Sequence, residues 1–511
     1  MRRLIASVAV LLSLGARGVP PPQSQSFDVV EKTIADLSRA LNAGEVTSRQ
    51  LTEQYLARID AYDKRGPAIN AMIAMNVRAW ADAEALDRER ASKGSRGPLH
   101  GVPVVVKDNY DTIDMPTTAG SRALEGSMSG RDAFQVRKLR EAGAVIIGKT
   151  NLHEFARGIT TISSLGGQTR NPYDPTRNPG GSSGGTGAAV AANFAVAGLG
   201  SDTCGSIRYP SAENSLVGLR PTLGLSSRAG IIPLAHSQDV GGPMARSVSD
   251  VALLLDTTVG VDPDDPTTSA GAGKAPASYV KALDASALRG AHLGVLVQLF
   301  GDTPEDQRAG SVVRTAVSEM RSAGARAVDV RLAGPDVPTE TDGVAIIRYE
   351  FKGDLNGYLA KTPAAPVRTL ADVLAKGVIH PSLETAFRRS NEITTLDSDE
   401  YRAIVARNAR LRDALVALMD QQDVVALIYP TLRRTSAKIG EPQLGGNCSA
   451  SAATGLPAIT IPAGFADDGM PVGVEMLGRP FSEADLLRLA FSYEQQTHHR
   501  RPPTLTPSLP R

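Results

Sequence analysis

The stretch that decides the fold lies near the middle of the chain, where residues 179–185 read PGGSSGG. It places two adjacent serines, Ser182 and Ser183, between glycines. The Ala-rich segment at 186–198 that follows is predicted as a tightly packed helix, because small side chains let backbones approach closely. No histidine lies within twenty residues on either side of the serines. A catalytic serine here therefore needs some other group to accept its proton.

Short apolar runs around this stretch predict buried β-strands. The runs GVPVVVKDN at 101–109 and AVIIGKT at 144–150 are rich in β-branched residues, which favour strands. An amphipathic helix is predicted between them, at 131–143. Strands at both ends of the chain with helices between them predict one large α/β domain, a central mixed β-sheet covered by helices on both faces. Three further strands are predicted near the C-terminus: 424–432, 456–464 and 471–477.

The outer and middle segments are predicted to be mainly helical. Residues 27–98 and 305–425 carry helical patterns, and Thr47 to Gln50 has the residue types of a capping box. The first helices are thus expected to precede the strands of the sheet along the chain.

Two Pro-rich stretches predict irregular structure. Residues 260–276 are expected to form a surface loop whose acidic run is solvated, and 500–511 a loose tail. The acidic run comprises Asp262, Asp264 and Asp265.

Composition excludes several classes of partner. Lys plus Arg number 55 and Asp plus Glu number 54, a formal net charge of +1, so the chain has no electrostatic footprint for nucleic acid or an anionic membrane. Apolar residues at 42% with 21% charged residues are typical of a soluble globular protein.

The first eighteen residues, MRRLIASVAVLLSLGARG, have the pattern of a secretory signal peptide: a basic start, a short apolar stretch and small residues before a cleavage point. We therefore predict a signal peptide at 1–18 and an exported domain at 19–511, either periplasmic or secreted. No later stretch is long and apolar enough to predict a membrane span. The two cysteines, Cys204 and Cys448, establish neither a disulfide framework nor a metal pattern, and no structural disulfide is predicted.

Two familiar motifs are rejected on context. GAVIIGKT at 143–150 fits the Walker A expression, but its central β-branched residues favour a strand that ends in a turn at Gly148 and Lys149. PGGSSGG also fits the nucleophile elbow of α/β-hydrolases, which requires a preceding apolar strand. Residues 170–180, RNPYDPTRNPG, are a loop instead.

A second serine and a lysine supply the missing chemistry. Ser206 lies in GSDTCGSIRYPSA at 200–212, where a turn after Asp202 can present consecutive backbone N–H groups to an oxyanion. Lys107 ends a predicted core strand, and burial lowers the pKa of a lysine enough for it to act as a base.

These blocks together resemble the amidase signature family of serine amide hydrolases. The resemblance is continuous over a signature core at about 100–246 and again at about 445–495, within a C-terminal sheet segment at 425–495. A variable helical region at about 270–425 separates the two. The blocks are GVPVVVKDN (101–109), GKTNLHEFA (148–156), NPYDPTRNPGGSSGGTGAAVAA (171–192), LGSDTCGSIRYPSAENSLVGLRPTLG (199–224) and TGLPAITIPAGFADDGMPVGVEMLGRPFSEADLLRLAFSYE (454–494).

The resemblance implies a Ser-cisSer-Lys triad. Ser206 is implied as the nucleophile, Ser182 as the relay after a cis peptide from Gly181, and Lys107 as the base. Backbone N–H groups around three residues are implied to form the oxyanion hole: Thr203, Cys204 and Gly205.

Further positions in the motif have supporting or open roles. Ser183 is expected to hold the site through its backbone or hydroxyl. Arg208 is expected to pair with a buried carboxylate such as Asp202, with substrate binding as the alternative. Cys204 stands where many family members have glycine, so its side chain is expected to narrow the pocket.

The function implied is that of an exported amidase that forms an acyl-enzyme and needs no cofactor and no metal. Its partner would be a small-molecule or peptide amide, and 346–360 resembles exported peptide amidases that remove C-terminal amides. The family also contains the catalytic subunit of a tRNA-dependent amidotransferase, which an exported protein does not fit. The third alternative is a non-catalytic periplasmic binding protein on the same fold. The sequence does not determine the oligomeric state.

Overall fold

A computed structural model describes residues 27–333, 337–339 and 341–510. The predicted signal peptide at 1–18 lies outside these described residues. Thirteen strands are present in them: β1 (Met72–Met75), β2 (Pro103–Lys107), β3 (Val145–Thr150), β4 (Ile162–Ser163), β5 (Gly167–Gln168), β6 (Ala197–Asp202), β7 (Val217–Arg220), β8 (Val240–Ala245), β9 (His292–Leu296), β10 (Arg326–Val330), β11 (Ala426–Pro430), β12 (Ala458–Phe465) and β13 (Pro471–Leu477).

Helices pack around these strands. The α-helices of the described residues are α1 (Ile34–Ala43), α2 (Ser48–Tyr62), α3 (Ala79–Lys93), α4 (Phe134–Glu141), α5 (Gly184–Ala191), α6 (Arg208–Glu213), α7 (Val248–Thr258), α8 (Pro304–Ser322), α9 (Asp342–Ala345), α10 (Ile347–Ala360), α11 (Leu370–Lys376), α12 (Glu384–Asn391), α13 (Asp399–Gln421), α14 (Ser449–Ala452) and α15 (Glu483–Thr497).

Eleven strands form one mixed sheet in the order β1-β3-β2-β6-β8-β7-β12-β13-β11-β9-β10. Strand β2 pairs in parallel with both β3 and β6, whereas β6 pairs antiparallel with β8. This architecture confirms the predicted α/β domain with a central mixed sheet. Because the carboxyl ends of parallel strands meet at one edge of a sheet, β2 and β6 deliver Lys107 and Asp202 to the same place.

The Ala-rich segment after the two serines is shorter than predicted. It forms α5 over Gly184–Ala191 and then the strand β6, so the prediction of one helix at 186–198 was wrong beyond Ala191. Every residue of α5 is buried. The helix lies against β2, β3 and β6, and glycine and alanine allow this close approach.

Three other sequence predictions can be compared with the structure. Residues 27–98 are not wholly helical, because Met72–Met75 forms the edge strand β1 beside β3. The capping box at Thr47 and Gln50 is confirmed. Gly148 and Lys149 lie inside β3 rather than in a turn.

The C-terminal segment 500–510 is held in place and is not a loose tail. The guanidinium of Arg500 forms an ion pair with Glu31 at 2.8 Å. Arg58 donates hydrogen bonds to the carbonyl oxygens of Thr506, at 2.7 Å, and Pro507, at 2.8 Å. The guanidinium of Arg500 and the carbonyl oxygens of Thr506 and Pro507 therefore find partners in the body of the protein, which the Pro-rich composition did not indicate.

The helices at 342–391 pack over the sheet through their own apolar cluster. Phe155 contacts Phe351 and Phe387, with ring centroids 6.0 and 5.5 Å apart. This cluster joins α10 and α12 to the segment that follows β3.

Candidate active site

Lys107 is fully buried at the carboxyl end of β2. Its ammonium nitrogen lies 2.7 Å from Oγ of Ser182, 2.9 Å from Oγ of Ser201 and 3.2 Å from the carbonyl oxygen of Ser201. Burial lowers the pKa of Lys107 to about 7, although the carboxylates of Asp202 and Asp239 oppose this change. The amine is therefore partly neutral near neutral pH and can accept a proton.

Ser182 is buried in the loop that precedes α5. The Gly181–Ser182 peptide bond is cis, as expected. The carbonyl oxygen of Ser182 accepts a hydrogen bond from the backbone N–H of His153 at 3.0 Å. The hydroxyl of Ser182 thus faces Lys107 while its backbone is tied to the neighbouring loop.

Ser206 lies in the turn between β6 and α6 and is 3% exposed. Its carbonyl oxygen accepts a hydrogen bond from the N–H of Ser183 at 3.1 Å. This bond joins the loop that carries Ser182 to the turn that carries Ser206. The three predicted site residues therefore meet at one edge of the sheet.

The turn before Ser206 is shaped by Asp202. One oxygen of its carboxylate accepts the N–H of Gly205 at 2.8 Å, and the other accepts the N–H of Ile207 at 3.1 Å. Gly205 has φ +85°, a conformation that favours glycine. An ideal Cβ at this position would lie 2.6 Å from the ring of Tyr209, so glycine is required on two grounds.

The predicted oxyanion hole is only partly available. The N–H of Gly205 is already bound to Asp202. Within the described ranges, the N–H groups of Thr203, Cys204 and Ser206 donate no hydrogen bond. The prediction that the N–H of Gly205 forms part of the oxyanion hole therefore needs correction. No pattern in the sequence indicated that the carboxylate of Asp202 would fold back onto its own turn and accept this N–H.

Buried ion pairs support the turn from below. Arg208 binds Asp202 at 3.1 Å and also contacts Glu475. Arg220 binds Asp202 at 3.0 Å, and Tyr429 donates to Glu475 at 2.9 Å. The two arginines hold the pKa of Asp202 well below its usual range in spite of burial. The predicted pairing of Arg208 with Asp202 is confirmed.

Ser183 supports the site through both its backbone and its hydroxyl. Its Oγ donates to the carbonyl oxygen of Ser201 at 3.1 Å and accepts the N–H of Ser201 at 3.3 Å. The side-chain amide of Asn109 donates to Oγ of Ser201 at 2.9 Å. Sequence reasoning missed Ser201 and Asn109, although each lies close in sequence to a residue that it did select.

In the described residues, no histidine ring takes part in these contacts. His153 is the nearest along the chain, and its backbone rather than its ring binds Ser182. Burial lowers the pKa of its imidazole to about 3. In the part of the chain that the structure describes, no histidine ring hydrogen-bonds to Ser182 or Ser206.

The two cysteines form a disulfide, so the prediction of no structural disulfide was wrong. Cys204 and Cys448 are 244 residues apart in sequence, yet their Cα atoms are 5.1 Å apart. The reason is tertiary: the start of α14 packs beside the turn that precedes α6. A single pair with this separation carries no local signal of pairing.

A cavity of about 780 Å³ opens beside the site. Its lining includes Asn109, Ser201 and Thr203 from the site itself, and Tyr358 from α10. Residues 228–240 and 262–265 also contribute to the lining.

The acidic run in this wall is mostly not solvated. Asp262 accepts a hydrogen bond from Ser227 at 2.6 Å, and Asp265 pairs with Arg228 at 2.8 Å. Both carboxylates are buried, and only Asp264 is exposed as predicted. The loop is held against 227–228 by these contacts.

Comparison with known proteins assigns the fold to a family. The family model described as Amidase matches residues 50–487. The chain belongs to the amidase signature family. Its reaction class is accordingly hydrolysis of an amide C–N bond.

Solved relatives of this amidase extend over nearly the whole chain. The native peptide amidase from Stenotrophomonas maltophilia is 40% identical with a TM-score of 0.86, covering 93% of this chain and 99% of that chain. A complex of the peptide amidase with the competitive inhibitor chymostatin has the same identity, 40%, and TM-score, 0.86.

Two curated relatives are similar at the sequence level. A probable amidase from Arabidopsis thaliana is 36% identical over 517 residues, 98% of this chain and 96% of that protein. The A-type subunit of the glutamyl-tRNA(Gln) amidotransferase from Symbiobacterium thermophilum is 36% identical over 493 residues, 92% of this chain and 98% of that protein. Within residues 27–510 as described, the amidase has no helix with the length and apolar character needed to cross a bilayer.

Proposed function

We propose that this amidase hydrolyses a carboxamide through Ser206, Ser182 and Lys107, with an acyl-enzyme intermediate. The observation that carries the proposal is the buried contact of 2.7 Å between Nζ of Lys107 and Oγ of Ser182. A pKa of about 7 leaves this lysine partly neutral under physiological conditions. A lysine with that pKa can serve as the base that a serine nucleophile requires.

Acylation begins with attack of Ser206 Oγ on the amide carbon. As the new C–O bond forms, the proton of Ser206 passes to Ser182, and the proton of Ser182 passes to Lys107. When the C–N bond breaks, Ser182 returns a proton to the leaving nitrogen and recovers one from Lys107. Ammonia or an amine then leaves, and the acyl group remains on Ser206.

We assign the stabilisation of the negative charge on the carbonyl oxygen to hydrogen bonds from the N–H groups of Thr203 and Cys204. Both belong to the turn before the nucleophile, and neither donates a hydrogen bond within the described residues. Donors that are fixed in advance stabilise a developing oxyanion without reorganisation.

Deacylation uses the same relay in reverse. Water attacks the acyl carbon while Ser182 and Lys107 accept its proton, and Ser206 leaves with a proton returned through Ser182. The balance is one amide and one water consumed, and one carboxylic acid and one ammonia or amine released.

Peptide C-terminal amides are the proposed substrates. The similarity to peptide amidase supports this choice, and so does the cavity of about 780 Å³ beside Ser201 and Thr203, a volume suited to a short peptide. The alternative, an amidotransferase-type subunit, is favoured by the curated relatives of that name.

Export to the periplasm or medium is proposed from the pattern of residues 1–18. The Cys204–Cys448 disulfide supports it, because disulfides persist mainly in oxidising compartments. Expression of the full chain in a Gram-negative host tests this point: mass spectrometry of periplasmic protein should give an N-terminus near residue 19. Recovery of the unprocessed chain only from the cytoplasm would reject export.

Ammonia release tests the activity. The purified enzyme and its Ser206→Ala variant would be assayed on peptide C-terminal amides, aliphatic amides and arylamides. The control is Ser211→Ala, a buried serine in the adjacent helix α6 whose hydroxyl makes no hydrogen bond within the described residues.

The proposal expects turnover of peptide amides by the wild type and by Ser211→Ala, and none by Ser206→Ala. Turnover that survives in Ser206→Ala would reject this nucleophile. Activity that appears only with glutamine and charged tRNA would favour the amidotransferase alternative instead.

A further inference from the structure

The disulfide lies on the turn to which the oxyanion donors are assigned. Cys204 follows Thr203 directly, and its own N–H is one of the two proposed donors. Both cysteines are nearly buried, with 6% of Cys204 and 5% of Cys448 exposed. Only Cβ therefore separates the bridging sulfur of Cys204 from the Cα that is bonded to the proposed donor nitrogen.

The neighbours of Cys204 in the turn are held by hydrogen bonds, whereas Cys204 itself forms none within the described part of the chain. Asp202 binds the N–H groups of Gly205 and Ile207. The hydroxyl of Thr203 donates to Asp239 at 2.6 Å. Cys204 is held instead by the disulfide and by apolar packing in a cluster with Tyr209, Leu432 and Ala452.

The other end of the disulfide is anchored in the core. The N–H of Cys448 donates to the hydroxyl of Tyr209 at 2.7 Å. The adjacent Asn447 donates to the carbonyl oxygens of Leu299, at 2.8 Å, and Pro430, at 2.7 Å. Because Pro430 ends β11, this anchor belongs to the central sheet.

A third segment covers the disulfide. Gly343 approaches it so closely that an ideal Cβ at this residue would lie 2.3 Å from Sγ of Cys204. The N–H of Gly343 donates to Oγ of Ser449 at 2.9 Å. The disulfide is thus enclosed between the nucleophile turn and α9, which restricts the movement of Cys204 further.

We propose that the Cys204–Cys448 disulfide is a positioning element of the active site, which holds the N–H of Cys204 toward the oxyanion. The inference rests on the proposed amidase function. It adds that the activity of this chain depends on Cys204 and Cys448 being oxidised to the disulfide. Reduction breaks the S–S bond and gives two thiols. The turn then keeps Ser206 but loses the restraint on one of its two donors.

The test compares the native enzyme before and after reduction by a water-soluble phosphine. The phosphine becomes its oxide, and water supplies the oxygen of that oxide and the protons of the two thiols. The number of free thiols measured by titration should rise from zero to two per chain. With N-acetyl-phenylalaninamide as substrate, kcat should fall about 10- to 100-fold. This reduction is smaller than the loss of about 10²- to 10³-fold in kcat that follows complete removal of an oxyanion donor. KM should change less than about threefold, because the ground-state carbonyl depends little on that donor.

A second variant and a second ligand separate positioning from stability. Cys448→Ala should reproduce the reduced enzyme, and the phosphine should not affect it further. The Kd of a peptide trifluoromethyl ketone should rise by about the same factor as kcat falls, since its adduct oxygen occupies the oxyanion position. All assays are made well below the melting temperature of each form, and reoxidation should restore kcat.

Three outcomes would overturn the inference alone, and the first two are free thiols in the native enzyme and a kcat that is unchanged by reduction while only the melting temperature falls. A rise in KM with kcat unchanged would also overturn it. No turnover of any amide before reduction would instead overturn the proposed function, and the inference with it.

Discussion

The ammonium nitrogen of Lys107 lies 2.7 Å from the hydroxyl oxygen of Ser182, although 75 residues separate them in sequence. The parallel pairing of β2 with β6 and the packing of α5 on both strands bring the two side chains together. Since both residues are fully buried, the contact between them is shielded from bulk water.

Activity should therefore fall on acidification through about pH 7. The pKa of Lys107 is lowered to about 7, so the amine is neutral above that pH and protonated below it. Only the neutral amine accepts a proton, and kcat/KM should drop tenfold per pH unit on the acid side. A pH–rate profile between pH 5 and 9 measures the midpoint, and Lys107→Met should lower the rate by several orders of magnitude at every pH.

A second buried lysine provides the control. Lys149 pairs with Asp108 at 3.2 Å and its pKa is also lowered by burial. The double variant Lys149→Met, Asp108→Asn removes this charge pair and should leave the midpoint near pH 7. A rate that stays constant down to pH 4 would contradict a lysine base.

The two adjacent serines should respond differently to substitution. Ser182→Ala removes the group between nucleophile and base, and kcat should fall about 10³-fold or more. Ser183→Ala removes two hydrogen bonds to Ser201, at 3.1 and 3.3 Å, each worth about 1 kcal/mol of stability. Its kcat should stay within about tenfold of the wild type. Equal losses of kcat in the two variants would argue against the relay.

The buried ion network should matter mainly for stability. Arg208→Met leaves the carboxylates of Asp202 and Glu475 without this partner in the core, where breaking a buried pair costs about 3–5 kcal/mol. The matched control is Arg388→Met, which breaks an exposed pair with Glu384 and should cost less than about 1 kcal/mol. Urea unfolding measures both. Equal stability of the two variants would show that the network contributes little.

The sequence predicted the elements that have strong local patterns. The β-branched runs became β2 and β3, and the strand at 471–477 is observed as Pro471–Leu477. Lys107 could be selected because it ends such a run, and Ser182 and Ser206 because glycine-rich turns surround them. The predicted domain boundaries at about 100–246 and 270–425 remain predictions.

What the sequence did not predict depends on contacts between distant segments. The disulfide joins residues 244 positions apart, and the C-terminal segment is held by Arg58 and Glu31 from the first helices and the residues before them. Asp202 could be selected as a member of the turn, but not as the acceptor that engages Gly205 N–H, because this requires the folded turn. Such partners follow from tertiary packing and leave no periodic pattern.

Gly205→Ala should separate the geometry of the turn from ordinary backbone strain. At φ +85° a side chain costs about 1–2 kcal/mol, and here a Cβ would also lie 2.6 Å from the ring of Tyr209. The ring cannot yield easily, because its hydroxyl accepts the N–H of Cys448. The turn must therefore move, and with it the N–H groups of Thr203 and Cys204, so kcat should fall about 100-fold or more.

Gly126→Ala is the matched control for this variant. Gly126 has φ +76°, and a Cβ there meets nothing within 4 Å. Gly126→Ala should also lose about 1–2 kcal/mol of stability through backbone strain, but its kcat should equal that of the wild type. Steady-state kinetics and urea unfolding of the two variants provide the comparison. If Gly205→Ala retained kcat with only the stability loss of Gly126→Ala, the turn would tolerate displacement, and the oxyanion could not depend on the N–H groups assigned to it.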